Sequence, residues 1–96
     1  MEDTLPFFWS NTQRRYVQMI DEGQYDLKKD SDFVTIVRLG ALLCDMQQKE
    51  LAEVLEVTTA TLQRWARGVN LPRPRDRKGV LADIREIVHK TCKLSS

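Results

Sequence analysis

The sequence predicts an all-α protein, a compact bundle of about five helices. Apolar residues recur at the three- and four-residue spacing of helices along nearly the whole chain, and no stretch alternates strictly enough to predict a strand. The 96 residues suffice for one modest core and leave no room for a second domain. We therefore expect residues 1–96 to form a single domain, with an N-terminal extension over residues 1–30 and a functional core over residues 31–92.

The composition argues against a membrane protein and against a secreted one. Hydrophobic residues make up 42 % of the chain and charged residues 30 %, as in ordinary globular domains. No run approaches the roughly 20 apolar residues of a membrane span, and the segment MEDTLPFFWS lacks the basic stretch of a secretory signal. Two cysteines, Cys44 and Cys92, do not make a disulfide framework, so we expect inert thiols in a cytoplasmic protein.

The first helix is predicted to begin at Ser10 and to end before Gly23. Ser10 and Gln13 have the spacing of a capping box, in which two side chains satisfy two free backbone amides. Tyr16 and Ile20 lie on the face expected to point inward.

Three large aromatic residues, Phe7, Phe8 and Trp9, precede this predicted helix. Small domains draw much of their buried area from such rings, so one interpretation is that they cover the edge of the core. The alternative is that they form a contact between two copies of the chain.

A second helix is predicted from Ser31 to Cys44. Asp30 and Asp32 place negative charge at its N-terminus, where the helix dipole favours it. Apolar residues surround this helix almost completely, which predicts the central helix of the bundle. Gly40 costs about 1 kcal/mol relative to alanine inside a helix, so its presence predicts the close approach of a neighbouring helix.

Two short helices are predicted next, over residues 47–55 and 58–67. Thr58 has a side chain suited to cap the second of them, which leaves the first amides of that helix free for an anion or a base edge. Gly68 stands where a helix commonly ends in a left-handed residue.

Two prolines, Pro72 and Pro74, interrupt the helical pattern, because each lacks an amide donor and favours extended geometry before it. The last helix is therefore predicted over residues 77–92. Its apolar face carries Leu81, Ile84, Ile87 and Val88.

Charge is distributed unevenly along the chain. Residues 1–57 carry six Lys or Arg against eleven Asp or Glu, a net −5, whereas residues 58–96 carry nine against three, a net +6. The basic half begins with the second short helix. Such clustering is typical of a surface that binds phosphate, and an ordinary solvated loop is the alternative.

The outer face of the second short helix is polar and basic. Leu62, Trp65 and Val69 fall on the other side and are expected to enter the core. No acidic residue occurs from Val57 to Arg75, whereas a merely solvated helix more often carries acid–base pairs four residues apart. A helix about 10 to 12 Å across fits the major groove of DNA, which is about 12 Å wide. The outward residues are Thr59, Ala60, Gln63, Arg64 and Arg67.

The segment MQQKELAEVLEVTTATLQRWARG, residues 46–68, resembles the helix-turn-helix of the XRE family, the class of Cro and the lambda-type repressors. The resemblance implies a lambda-repressor-like fold that binds double-stranded DNA. In that family the glutamine that opens the first helix holds a phosphate, a role that the resemblance gives to Gln48, and the outward residues of the second helix read bases. The base-reading residues implied in this way are Thr59, Ala60, Gln63 and Arg64. The matching residues are Gln48, Leu51, Ala52, Leu55, Val57, Thr58, Thr61, Leu62, Trp65 and Gly68.

The chain departs from the family pattern at several positions. Glu56 stands at the turn glycine, where φ is usually positive, and there a residue other than glycine costs about 1 to 2 kcal/mol. Gln47 stands where serine or threonine normally caps the helix, and Ala66 replaces an acidic residue. The family commonly has two helices after the motif, whereas this sequence predicts one.

These observations predict a sequence-specific regulator of transcription that binds double-stranded DNA. We expect a repressor that acts as a homodimer, with half-sites about one helical turn apart. Arg64 and Gln63 are the best candidates for base readout, because arginine suits guanine and glutamine suits adenine. Thr58 is expected at the interface as the first residue of the reading helix. The residues predicted to hold phosphates are Gln48, Arg67, Arg73, Arg75, Arg77 and Lys78.

Two alternatives stay open at this point. Residues 61–81 resemble the corresponding part of HigA-type antitoxins, which repress their own operon and bind a toxin. A helix-turn-helix reused for protein contacts is the second alternative, since a fold does not prove a function.

An enzyme is the class least favoured. His89 is the only histidine, Cys92 three residues later completes no set of ligands at metal-site spacing, and no glycine-rich phosphate loop occurs. We expect no metal and no cofactor.

Overall fold

The computed structural model describes residues 4–95, and the side chains of residues 11–91. The described residues form five helices and no strand, so the prediction of an all-α bundle of about five helices is confirmed. The helices are α1 (Thr4–Asp21), α2 (Asp30–Leu43), α3 (Gln48–Val54), α4 (Thr59–Ala66) and α5 (Pro74–Ser95). In this part of the chain, no helix combines the length and the apolar character that a bilayer crossing needs.

The core lies where α2 meets α1, α4 and α5. Phe33 and Ile36 of α2 are buried together with Ile84 of α5. The prediction that α2 is the central helix is therefore confirmed. One side of it stays open, because Leu39 and Leu42 are 38 % and 62 % exposed.

Gly40 lies at a point where α1, α2 and α5 approach closely, as predicted. A Cβ on Gly40 would lie 2.8 Å from the hydroxyl oxygen of Tyr16 and closer still to Cγ2 of Ile84. The missing side chain leaves the Tyr16 hydroxyl room to donate a hydrogen bond of 2.7 Å to the carbonyl of Ile36. Burial raises the pKa of this hydroxyl, so it stays a donor at neutral pH.

The predicted start of α1 is wrong. The helix already begins at Thr4, so Ser10 lies inside it and does not cap it. Gln13 is fully buried and donates a hydrogen bond of 2.7 Å to the carbonyl of Leu43 at the end of α2. It thus satisfies a carbonyl that the end of a helix leaves free. The two interpretations of the aromatic residues 7–9 concern side chains outside those described.

A paired contact ties the end of α1 to α5. Arg85 donates from Nε and Nη2 to the two carboxylate oxygens of Asp21, at 2.9 and 2.8 Å. The hydrogen bonds from Arg85 hold the pKa of the Asp21 carboxyl below its ordinary value. The chain leaves α1 just beyond this pair through Gly23, whose φ of 67° is left-handed.

The helix α5 begins at Pro74, three residues before the predicted start at Arg77, and runs to Ser95. A proline suits the first turn of a helix because its missing amide would have no partner there. The carbonyl of Arg73 accepts the amides of Asp76 and Arg77, at 2.9 and 3.2 Å, and closes the first turn. Pro74 therefore starts the helix rather than preventing it.

The thiol of Cys44 is free and buried at the end of α2. Burial raises its pKa, which keeps it in the unreactive thiol form. This agrees with the expectation of an inert thiol, whereas the side chain of Cys92 lies outside those described.

Candidate nucleic-acid interface

The turn between α3 and α4 keeps a left-handed residue without a glycine. Glu56 adopts φ 60°. The amide of Val57 donates to the carbonyl of Ala52 at 2.9 Å, and the amide of Glu56 donates to that of Glu53 at 3.1 Å. These bonds satisfy the end of α3 and hold Glu56 in a conformation that costs about 1 to 2 kcal/mol.

The start of α3 is supported without a serine or threonine cap. Gln47 holds the capping position in an extended conformation, and its amide donates to the Glu50 carboxylate at 3.3 Å. The acidic side chain also lies near the positive end of the helix, where it is favourable. The departure at Gln47 therefore leaves the helix intact.

Thr58 caps α4, as predicted. Its hydroxyl oxygen accepts the amide of Thr61 at 3.0 Å and the hydroxyl itself donates to Oγ1 of Thr61 at 2.9 Å. The backbone amides of Thr59 and Ala60 come next and have no partner within the helix, because the first amides of a helix lack an acceptor one turn earlier. Thr59 is half-buried and Ala60 is exposed.

The two faces of α4 differ as the sequence predicts. Leu62 and Trp65 are buried, with 1 % and 6 % of their surface exposed, whereas Gln63 and Arg64 are exposed. The ring of Trp65 meets that of Phe33 edge to face, with 5.8 Å between centroids. The expectation for Val69 is wrong, because this residue lies beyond Gly68 and is 45 % exposed. Gly68 itself has φ 77° and ends the helix.

A hydrogen bond joins the first residue of α3 to the outer face of α4. The side-chain amide of Gln63 donates from Nε2 to Oε1 of Gln48 at 3.1 Å. Gln48 is exposed and accepts this bond through its side-chain carbonyl oxygen, so the bond does not use its side-chain N–H donors. Sequence reasoning assigned these two residues to separate roles and missed the bond. The signal was the spacing of the motif, which brings the start of α3 beside the middle of α4.

Five cations of the predicted interface are exposed, four of them predicted to hold phosphates and Arg64 predicted to read bases, and none forms an ion pair among the described residues. They lie on and just after α4 and around the start of α5, where Asp76 is the acidic residue of the first turn but forms no ion pair with them. Exposed cations without ion-pair partners attract phosphate more strongly than cations that carboxylates neutralise. The five are Arg64, Arg67, Arg73, Arg75 and Lys78.

The prediction for Arg77 is wrong. This residue is 4 % exposed, and its guanidinium donates to the carbonyls of Leu27 and Pro72 and to the carboxylate of Asp30, at 2.7 to 2.8 Å. A group committed to three internal acceptors does not hold a phosphate. No local signal distinguishes Arg77 from Arg75, because its partners come from other parts of the chain.

The fold and the paired helices α3 and α4 are those of a helix-turn-helix protein. Residues 38–76 match the model of a family described as helix-turn-helix, which is 39 of the 96 residues. The match confirms the resemblance of this segment to the XRE family, and it supports a DNA-binding helix-turn-helix regulator in general. A comparison with curated proteins and one with solved structures each found no match.

The family is typically non-enzymatic, and the described residues contain no cluster of three or more His, Cys, Asp or Glu placed to hold a metal. His89 lies exposed near the end of α5. Arg14, Asp21, Arg85 and His89 line an open groove between α1 and α5.

Proposed function

We propose that this protein is a sequence-specific repressor that binds double-stranded DNA as a homodimer, with α4 in the major groove. One observation carries the proposal. The face of α4 turned away from the Trp65 anchor bears exposed Gln63 and Arg64, and the cations beside it lack acidic partners.

The proposed roles follow from position and chemistry. Gln63 and Arg64 read base edges, with Thr59 and Ala60 at the front of the helix. Gln48 donates its free amide hydrogens to a phosphate at the start of α3, where its bond to Gln63 orients it. Thr58 stays at the interface as the cap that exposes the first amides of α4. The remaining phosphate contacts are Arg67, Arg73, Arg75 and Lys78.

The homodimer and the repressor role rest on the family resemblance and on geometry. One reading helix covers only a few base pairs, and helix-turn-helix proteins commonly bind two half-sites about 34 to 36 Å apart. Repression then follows if the operator overlaps a promoter. A regulator of this kind works where the DNA is, so we place it in the cytoplasm, as the sequence predicts.

Selection of bound duplexes from a random pool tests the proposal. We expect an enriched motif with two-fold symmetry and half-sites one helical turn apart. The affinity should fall with salt on a log–log slope of about −0.9 for each phosphate contact. A pool that shows no enrichment, or a wild-type protein that binds no duplex at low salt, would contradict the proposal.

Variants of the selected complex separate base readout from phosphate contact. We expect Arg64→Ala to cost about 1 to 3 kcal/mol and to relax the preference at one or two positions, whereas Arg75→Ala should weaken all sequences alike and lower the salt slope by about 1. Lys90→Ala is the matched control, because Lys90 is a 72 % exposed cation about 20 Å further along α5. Equal behaviour of all three variants would refute the residue assignment.

A protein partner is the second candidate function, favoured by the exposed apolar side of α2 at Leu39 and Leu42. In this case the chain acts as an antitoxin of HigA type or as an interaction module. An antitoxin would bind both a duplex and a protein, whereas a pure interaction module would bind no duplex at low salt. The duplex titration therefore distinguishes the two.

A further inference from the structure

We infer that Arg77 is a positioning residue for DNA binding, although it touches no DNA itself. Its guanidinium sets the orientation of α4 relative to the basic start of α5, so that both reach the duplex together. The inference rests on the proposed function, because it assigns a role to a residue behind that same interface.

Arg77 joins three separate segments of the chain. It donates from Nη1 to the carbonyl of Leu27 at 2.7 Å, in the loop between α1 and α2. It donates from Nη2 to the Asp30 carboxylate at 2.8 Å, in the first turn of α2. It donates from Nε to the carbonyl of Pro72 at 2.8 Å, in the loop between α4 and α5. The position of each segment therefore depends on one planar group.

A chain of rings leads from Arg77 to the back of α4. The guanidinium carbon lies over the ring of Phe33, 5.2 Å from its centroid. Phe33 in turn meets the ring of Trp65 edge to face. Trp65 lies in the same helical turn as the exposed Gln63 and Arg64. A shift of the Phe33 ring would therefore tilt the face of α4 that is proposed to read bases.

The same guanidinium fixes the approach to the basic start of α5. The Pro72 carbonyl that it binds directly precedes Arg73, and the carbonyl of Arg73 accepts the amide of Arg77 itself. These contacts hold the loop against the first turn of the helix. The exposed cations Arg73 and Arg75 lie on this closed turn.

The geometry requires arginine rather than any cation. Three donors of one fork point to three acceptors, while the flat face of the same group covers an aromatic ring. A lysine ammonium is a point charge and cannot reproduce both features. The Asp30 side chain is 71 % exposed and is screened by solvent, whereas the Arg77 side chain is 5 % exposed and depends on all three acceptors.

Duplex affinity of two Arg77 variants tests the inference. Arg77→Lys keeps the positive charge but loses the planar set of three donors. Arg77→Met keeps the apolar stem and loses both the charge and the donors. We expect each folded variant to bind the selected duplex at least about tenfold more weakly, as when a base contact is misplaced, with the salt slope of the wild type. The control is Arg75→Met in the same turn of α5, which should lower the slope by about 1.

Two results would overturn the inference. Wild-type affinity in folded Arg77→Lys and Arg77→Met would show that nothing depends on the fork. A salt slope lowered by about 1, as in the Arg75→Met control, would show instead that Arg77 contacts a phosphate.

A milder variant and a readout without DNA cover the case in which both Arg77 variants fail to fold. Asp30→Asn removes the ion pair and leaves the two carbonyl contacts, and it should weaken binding in the same direction but by less. In its NMR spectrum the indole resonance of Trp65 and the amide resonances of residues 69–71 and Arg73 should shift, whereas those of α3 should not. Unmoved resonances refute the positioning role, while a wild-type protein that binds no duplex refutes the proposed function.

Discussion

The α3–α4 pair and the bundle of α1, α2 and α5 are held by different kinds of contact. In the pair, Thr58 caps an amide three residues ahead, and Glu50 accepts an amide three residues back. In the bundle, the side chains of Gln13, Tyr16 and Arg77 reach carbonyls 30, 20 and 50 residues away in sequence. The surface proposed to read DNA is thus built from local features, and its orientation comes from distant ones.

Trp65 joins the two regions, so its loss should have the largest effect. We expect Trp65→Ala to lower the free energy of unfolding by about 3 to 5 kcal/mol, because it empties a buried site against Phe33. Urea or thermal unfolding measures the change. Val69→Ala is the control, since Val69 is 45 % exposed and should change stability by about 0.5 kcal/mol or less. Equal stabilities of the two variants would show that Trp65 is not part of the core.

Gly40 tests the bundle alone. Gly40→Ala should destabilise by about 1 to 3 kcal/mol, because the new Cβ would collide with Ile84 and Tyr16. Gly79→Ala in α5 is the matched control, because a Cβ there meets nothing within 4 Å. That variant should gain about 0.5 to 1 kcal/mol from better helix propensity. Thermal unfolding of both variants sharpens the comparison, and a stabilised Gly40→Ala would break it.

Glu56 tests the local turn of the α3–α4 pair. Glu56→Gly should stabilise the protein by up to about 1 kcal/mol, since it removes the strain of a left-handed residue, although the added freedom of the unfolded chain offsets part of that gain. Glu53→Gly, an exposed glutamate inside α3, should instead destabilise by about 1 kcal/mol. Denaturant midpoints measure both changes. Destabilisation by both substitutions would mean that the turn stores no strain.

The smallest effect concerns the ion pair between Asp21 and Arg85. The folded state lowers the pKa of Asp21, so the contribution of the pair is present above the unfolded pKa of about 3.9 and is lost as the pH falls through the folded value. The stability difference between the wild type and Asp21→Asn should therefore be constant from neutral pH to about pH 4 and shrink below it. Asp83→Asn is the control, because Asp83 makes no ion pair among the described residues. A difference for Asp21→Asn that persists unchanged at low pH would contradict this account.

The sequence predicts the α3–α4 region well because its signals are local. The cap at Thr58, the left-handed Gly68 and the apolar side at Leu62 and Trp65 each depend on residues within about one or two turns. Exposure of Gln63 and Arg64 follows from the same helical spacing.

The errors fall where a distant partner decides the outcome. The sequence predicts that Gln13 is half of a capping box, whereas in the structure it donates a hydrogen bond to the carbonyl of Leu43 at the end of α2. Arg77 reads as one more surface cation, and only Asp30, Leu27 and Pro72 show that it is buried. Helical spacing carries no information on such pairings, so charge patterning overestimates the phosphate-binding set by one residue.

Gln13 and Tyr16 of α1 donate hydrogen bonds to carbonyls of α2. The first helix therefore supports the helix-turn-helix, although it lies outside the segment that matches the family model. Truncation of residues 1–30 would expose one side of α2 and the neighbouring Ile84 to solvent, and the carbonyl of Leu43 would lose its hydrogen-bond donor. The helix-turn-helix segment alone would therefore have an incomplete core and would not be a minimal DNA-binding domain.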